Sequence, residues 1–94
     1  MTRILLADDH QVVILGVRNV LEGAARYQVV GEATNATDLI CKARELAPDI
    51  IITDYNMPSE DGYGDGLALV QYLRRHFPKV RILIHTMITS PVIV

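Results

Sequence analysis

The sequence lacks the features that would place it outside the cytoplasm or on nucleic acid. It has one cysteine, Cys41, which excludes an intrachain disulfide. Its apolar runs are far shorter than the roughly 20 residues that a membrane-spanning helix needs. No signal peptide is visible, because Arg3 and the pair Asp8-Asp9 interrupt the first apolar run. The net charge of −2 differs from the strongly basic balance of a nucleic-acid surface. We therefore expect a cytoplasmic domain that itself binds neither DNA nor membrane.

What the sequence does contain is typical of one globular domain. Its 94 residues allow a single core, and 50% of them are apolar and 21% charged. That balance is too apolar for a disordered chain. We therefore treat residues 1–94 as one domain.

Short apolar segments alternate with segments of helical periodicity, which predicts alternating strands and helices. The predicted strands are residues 4–7, 28–33, 50–53 and 80–85. The first predicted helix covers 12–22 and has its apolar face at Val13, Val17, Val20 and Leu21. The second is capped by Asn35, has its buried stripe at Ala36, Leu39, Ile40, Ala43 and Leu46, and is stopped by Pro48. The third carries Leu67, Val70 and Leu73 between a cap at Asp65 and a stop at Pro78. Ser90-Pro91 predicts the start of a fourth helix.

This order predicts an α/β fold with a doubly wound parallel sheet. Strands that are apolar on both faces belong in a parallel sheet covered by helices on each side. Ligands of such folds bind beyond the carboxyl ends of the strands. Four polar residues follow the first, third and fourth strands directly, and we expect them along that edge: Asp8, Asp9, Asp54 and Thr86.

Three carboxylates at one edge favour a bound divalent cation. They repel one another unless a cation joins them, and Mg²⁺ binds through one or two carboxylates while keeping several waters. Asp54 is the better nucleophile because the buried strand before it would hold it rigidly, so that it forms an aspartyl phosphate. Asp8 and Asp9 are the candidate metal ligands. The alternative is that Asp8, Asp9 and His10 only cap the first helix.

The ordered set of motifs resembles the receiver domain of bacterial two-component response regulators. The matching segments are Asp8-Asp9 after the first apolar run, residues 48–54, Met57-Pro58, and residues 82–86. The resemblance implies a flavodoxin-like fold with strand order 2-1-3-4-5. It implies that Asp54 accepts phosphate from a histidine kinase or phosphotransfer protein. It also implies that Mg²⁺ is held by Asp8, Asp9, Asp54 and the backbone carbonyl of Asn56, and that the Thr86 hydroxyl senses the phosphate.

Two details refine the resemblance. An insertion at residues 59–64, together with Asp8-Asp9-His10 and Thr86-Met87, resembles the Rcs capsule-synthesis type of regulator. In regulators of that type a C-terminal helix-turn-helix domain binds DNA. Family members have a fifth strand that carries a lysine in contact with the phosphate, followed by a last helix. This sequence has no counterpart of either, and its last lysine is Lys79. We therefore expect a domain incomplete at its C-terminus, with order 2-1-3-4. We also expect residues 80–85 to form an exposed edge, so that two chains associate as a dimer through pairing of this edge or exchange of their C-terminal segments.

Three other functions compete with that of a phosphoacceptor that is not an enzyme. A dehalogenase-type phosphohydrolase needs a second aspartate two residues after the nucleophile, where this sequence has Asn56. A nucleotide-binding module needs a glycine-rich or hydroxyl-rich phosphate loop after the first strand, where Asp8-Asp9 would repel phosphate. A phosphate-independent receiver that serves only protein contacts stays open, because Met87 follows Thr86 and the lysine is absent.

Overall fold

The computed structural model describes residues 1–54, 67–85 and 92–93. Strands and helices alternate over most of this range. They are β1 (Thr2–Ala7), α1 (Gln11–Glu22), β2 (Tyr27–Ala33), α2 (Ala36–Leu46), β3 (Ile50–Asp54), α3 (Leu67–His76), β4 (Arg81–His85) and β5 (Val92–Ile93). No helix within these residues is both long and apolar enough to cross a bilayer.

The sheet has the order β2-β1-β3-β4-β5, and its first four strands run parallel. The predicted order 2-1-3-4 is therefore confirmed. In the register of the central strands, Ala7 lies beside Thr53, and Asp54 lies beside His85. The carboxyl ends of β1, β3 and β4 therefore meet at one edge, as the sequence predicted.

The prediction that residues 80–85 form an exposed edge is wrong at Leu83 and Ile84. Val92 and Ile93 form β5, which pairs antiparallel with β4 at Ile84 and Leu83. Backbone groups of β4 that would otherwise face solvent thus have partners within the same chain. The fourth helix predicted from Ser90-Pro91 is also not found at Val92–Ile93, which is a strand. Ser90 and Pro91 themselves lie outside the described residues.

The helices cover both faces of the sheet. Alternate residues of each strand point to opposite faces. On one face, Leu5 and Ile51 pack with buried residues of α2 and α3 such as Leu39 and Leu73. On the other face, Ile4, Leu6 and Ile52 pack with Ile14 of α1. The buried strands are therefore apolar on both sides, which confirms the doubly wound architecture.

Helix α1 packs on the sheet with a face that overlaps the predicted one but does not include Val20. Ile14 is its buried residue, and Val17 and Leu21 pack partly against the same cluster. Val20, predicted to be buried, is 76% exposed. Nearly every position on α1 from Val12 to Val17 is apolar. The spacing of apolar residues is therefore compatible with two overlapping helix faces, one that includes Ile14 and one that includes Val20.

Helix α2 follows the sequence closely. The side chain of Asn35 accepts a hydrogen bond from the backbone N–H of Asp38 at 2.8 Å, which is the predicted N-cap. The helix ends at Leu46, and its C-cap Ala47, directly before Pro48, has a left-handed φ of 48°. In α3 the predicted Val70 and Leu73 are buried, whereas Leu67 is 58% exposed at the start of the helix. The predicted cap at Asp65 lies outside the described residues.

Candidate phosphoacceptor site

Two buried aspartates lie at the carboxyl edge of neighbouring strands. Asp8 follows β1 directly, and Asp54 is the last residue of β3. Because Ala7 and Thr53 are register partners, the residues that follow them lie side by side. Asp8 is 2% exposed and Asp54 is 6% exposed. Burying carboxylates is costly without a compensating cation or hydrogen bond, so this pair indicates a functional site rather than a surface turn.

The turn between β1 and α1 adds a third carboxylate and an imidazole. One carboxylate oxygen of Asp8, Oδ1, accepts a hydrogen bond from the backbone N–H of His10 at 2.8 Å. The ring Nδ1 of His10 lies 3.1 Å from Asp8 Oδ1 and 2.9 Å from Asp9 Oδ1. Asp9 and His10 are exposed, so this side of the site opens to solvent. The turn thus holds two carboxylates and one ring nitrogen in direct contact.

The helix-capping alternative explains only part of this turn. His10 is the N-cap residue of α1, as expected for a residue at the helix start. Its side chain makes no capping hydrogen bond, and no acidic residue lies in the first turn of α1. The side chains of Asp8 and Asp9 instead face His10 within the described part of the site. Helix capping alone therefore does not account for the acidic pair.

One ligand atom from each of Asp8, Asp9, His10 and Asp54 lies within 4.8 Å of the others. We call these four residues the acidic pocket. Asp8, Asp9 and Asp54 were predicted from the sequence to meet, and the structure brings them together. For His10 the sequence favours a role at the helix start over one of tuning the neighbouring acids, and its position directly after Asp8-Asp9 is the signal for its place in the pocket.

Local charge raises the pKa of His10 above its ordinary value. The hydrogen bond to Asp8 is the main cause, and the negative charge of Asp9 adds to it. A protonated imidazole therefore offsets part of the repulsion among the three carboxylates. This preference for positive charge is the electrostatic property expected of a cation site.

The donor set fits Mg²⁺. This hard ion prefers oxygen ligands and retains several of its waters. Three carboxylates converge here, two of them buried and one beside solvent, which leaves room for waters on the exposed side. The other predicted site residues, Asn56 and Thr86, lie outside the described residues.

The chain is therefore a doubly wound α/β domain that carries an acidic pocket at the carboxyl edge of its parallel sheet. Comparison with known proteins identifies the family. The family model for the response regulator receiver domain matches residues 4–93, and the chain belongs to this family.

Similar proteins include the transcriptional regulatory protein RcsB of Salmonella typhi, 43% identical over 90 residues, which is 96% of this chain and 41% of that protein. The response regulator GacA of Pseudomonas viridiflava is 37% identical over 83 residues, 88% of this chain and 37% of that protein. The chain thus spans about 41% of the length of its RcsB relatives.

Solved structures give the same result. The isolated REC domain of RcsB from Salmonella enterica serovar Typhimurium, in the presence of phosphomimetic BeF3−, matches with a TM-score of 0.88 at 40% identity. That match covers 95% of this chain and 64% of the other. RcsB from the same organism bound to promoter rprA also matches with a TM-score of 0.88 and 40% identity, over 96% of this chain and 72% of that one. The fold is therefore that of a receiver domain.

Proposed function

We propose that residues 1–94 form the receiver part of a longer transcription regulator, incomplete at its C-terminus, and that Asp54 is its phosphoacceptor. The observation that carries this proposal is the burial of Asp54 at the end of β3, with Asp8 and Asp9 of the acidic pocket beside it. The coverage of about 41% of the RcsB relatives supports the longer chain.

In the proposed reaction, a carboxylate oxygen of Asp54 attacks the phosphorus of a phosphohistidine on a histidine kinase or phosphotransfer protein. The P–N bond breaks, the imidazole leaves and takes up a proton, and an acyl phosphate forms on Asp54. The buried strand β3 orients the nucleophile for this attack. The chain modifies itself and turns over no external substrate, so we do not assign it as an enzyme.

Asp8, Asp9 and Asp54 would hold Mg²⁺, together with the backbone carbonyl of Asn56. When bound, this ion neutralises charge on the phosphoryl oxygens. The Thr86 hydroxyl would bind the phosphoryl group after transfer and so report the new charge. These roles of Asn56 and Thr86 rest on the family resemblance.

The output proposed for the longer protein is DNA binding through a separate domain. RcsB structures are described as bound to promoter DNA and as dimers on DNA. By analogy we place this protein in the cytoplasm and expect a dimer. The net charge of −2 in this chain supports DNA contact elsewhere in the longer protein.

Intact mass spectrometry after incubation with phosphoramidate and Mg²⁺ tests the proposal. Wild type should gain the mass of one phosphoryl group and Asp54→Asn none. The matched control is Asp49→Asn, which removes an exposed carboxylate at the opposite end of β3 and should react like wild type. A folded wild type that gains no phosphoryl group would favour the phosphate-independent receiver instead.

A further inference from the structure

We propose that the amino edge of the sheet carries a binding site for a small anion with two phosphoryl groups, held by Arg26, Lys79 and Arg81. These three residues line one open space, which we call the basic cleft. It lies at the end of the sheet opposite the acidic pocket. Asp49, which lines the cleft, and Asp54 are five residues apart along β3, or about 16 Å. The inference therefore does not rest on phosphorylation of Asp54.

The fold brings these cations together from distant parts of the chain. Arg26 directly precedes β2, Lys79 lies in the turn before β4, and Arg81 is the first residue of β4. The backbone N–H of Thr2 donates to the carbonyl oxygen of Arg26 at 2.8 Å. The backbone N–H of Arg81 donates to the carbonyl oxygen of Asp49 at 3.1 Å. Backbone hydrogen bonds thus fix both sides of the basic cleft to the edge of the sheet.

The three cations of the basic cleft have no partner of opposite charge. Their side chains are exposed, and none of them makes an ion pair or a side-chain hydrogen bond within the described residues. Arg18 and Lys42, in contrast, each pair with carboxylates of neighbouring elements. Like charges around one space repel one another, so an anion that joins them is favoured.

The size of the basic cleft indicates a ligand larger than one phosphate ion. Its volume of about 490 Å³ is within the range of small-molecule sites. In the order β2-β1-β3-β4, the strands that carry Arg26 and Arg81 are three strand spacings apart, which is about 14 Å. A ligand with two phosphoryl groups can meet cations from both sides of this gap, and arginine pairs with such groups through two parallel hydrogen bonds. Thr2 and Tyr27 also line the cleft, and their hydroxyl groups can donate to phosphoryl oxygens.

A single carboxylate opposes anion binding here. Among the described residues that line the basic cleft, Asp49 is the acidic one, so three cations and one carboxylate leave a net charge of +2. Its Oδ2 already accepts the backbone N–H of Arg3 at 2.8 Å, an interaction that an amide oxygen can also make. Asp49→Asn should therefore keep this contact and make the cleft more positive.

Calorimetric titration with pyrophosphate tests the site, in metal-free buffer of low ionic strength, where surface charges are least screened. Without metal, pyrophosphate has no cation to bridge it to the acidic pocket. Arg26→Gln and Arg81→Gln should each weaken binding about threefold to fivefold, because each removes one exposed cation. Asp49→Asn should strengthen binding by about twofold or more. Arg75→Gln, on an exposed arginine of α3 outside the cleft, should match wild type.

Two further ligands define what the basic cleft recognises. Sulfate carries one tetrahedral group and should bind more weakly than pyrophosphate. ADP distinguishes two sources of the diphosphate: a higher affinity for ADP assigns the site to a nucleoside diphosphate, and an equal or lower one assigns it to free diphosphate. In a ¹H–¹⁵N NMR titration with pyrophosphate, the amide signals of Thr2, Tyr27 and Arg81 should move most.

The inference is overturned if pyrophosphate does not bind folded wild type, or if sulfate binds as tightly. It is also overturned if Arg75→Gln loses as much affinity as Arg26→Gln and Arg81→Gln, because general surface charge would then explain the binding. Either result leaves the proposed function untouched, since Arg81→Gln keeps the acidic pocket intact and should still gain one phosphoryl group from phosphoramidate and Mg²⁺.

Discussion

Replacing Asp54 with asparagine should stabilise the metal-free protein, although it removes the proposed phosphoacceptor. Asp54 is 6% exposed, and one of its carboxylate oxygens lies within 4.8 Å of ligand atoms from Asp8 and Asp9. Two like charges at that distance repel by about 3.5 kcal/mol at an effective dielectric constant near 20. Protonation of His10 offsets part of this repulsion, because the hydrogen bond to Asp8 and the charge of Asp9 raise its pKa. We therefore expect a net gain of about 1–2 kcal/mol in the free energy of unfolding.

Urea denaturation in EDTA measures this gain. With a denaturant dependence of about 2 kcal/mol per molar, the middle of the range for a small domain, the midpoint of Asp54→Asn should rise by about 0.5–1 M. In Mg²⁺ at ten times its dissociation constant, wild type should gain about 1.4 kcal/mol, because the ion binds only the folded state. The asparagine variant should gain less, so the difference between the two proteins should shrink or reverse.

The control for this experiment is Asp49→Asn. Asp49 is exposed at the opposite end of β3, and its carboxylate accepts the backbone N–H of Arg3 at 2.8 Å, which an amide oxygen can also do. Its stability should stay close to that of wild type, with the same response to Mg²⁺. The electrostatic reasoning is refuted if Asp54→Asn is no more stable than wild type in EDTA.

Three further predictions concern the metal, the core and a helix cap. Asp9→Ala should remove most of the Mg²⁺-induced rise in melting temperature seen by calorimetry, and an undiminished rise would exclude Asp9 as a ligand. Leu39→Ala should cost about 2–5 kcal/mol in urea denaturation, because Leu39 is 0% exposed, whereas Leu67→Ala at 58% exposure should cost less than about 0.5 kcal/mol. Asn35→Ala should cost about 0.5–2 kcal/mol through loss of the hydrogen bond from Asp38, and Asn35→Asp should restore most of it; equal stability of the two variants would contradict the cap.

The sequence predicted the parallel part of the fold because its signals are local and strong. Ile50, Ile51 and Ile52 form a β-branched run, and Asn35 and Pro48 bracket a helix of regular period. The position of Asp54 after such a run then placed it at the carboxyl edge of the sheet. Helix α1 was less predictable, because Ile14 and Val20 each lie three residues from Val17 and either can share its apolar face. Only packing against the sheet determines that Ile14 is buried and Val20 exposed.

The pairing of β5 could not be predicted from local pattern. Val92 and Ile93 follow a proline, which suggested a helix start, but their partners Ile84 and Leu83 become available only once the sheet has formed. The place of His10 in the acidic pocket could not be predicted for a similar reason. Its neighbours in the sequence were visible, but the contact of its Nδ1 with two carboxylates depends on how the chain turns from β1 into α1.

Reduction with borohydride shows directly which residue carries the phosphoryl group, and the expected residue is Asp54. An aspartyl phosphate is reduced to homoserine, whereas a free aspartate is not. Peptide mass mapping of phosphoramidate-treated, reduced wild type should find homoserine at position 54 and unchanged residues at positions 8, 9 and 49. Homoserine at any of these other positions, or phosphate that remains on His10, would contradict the claim.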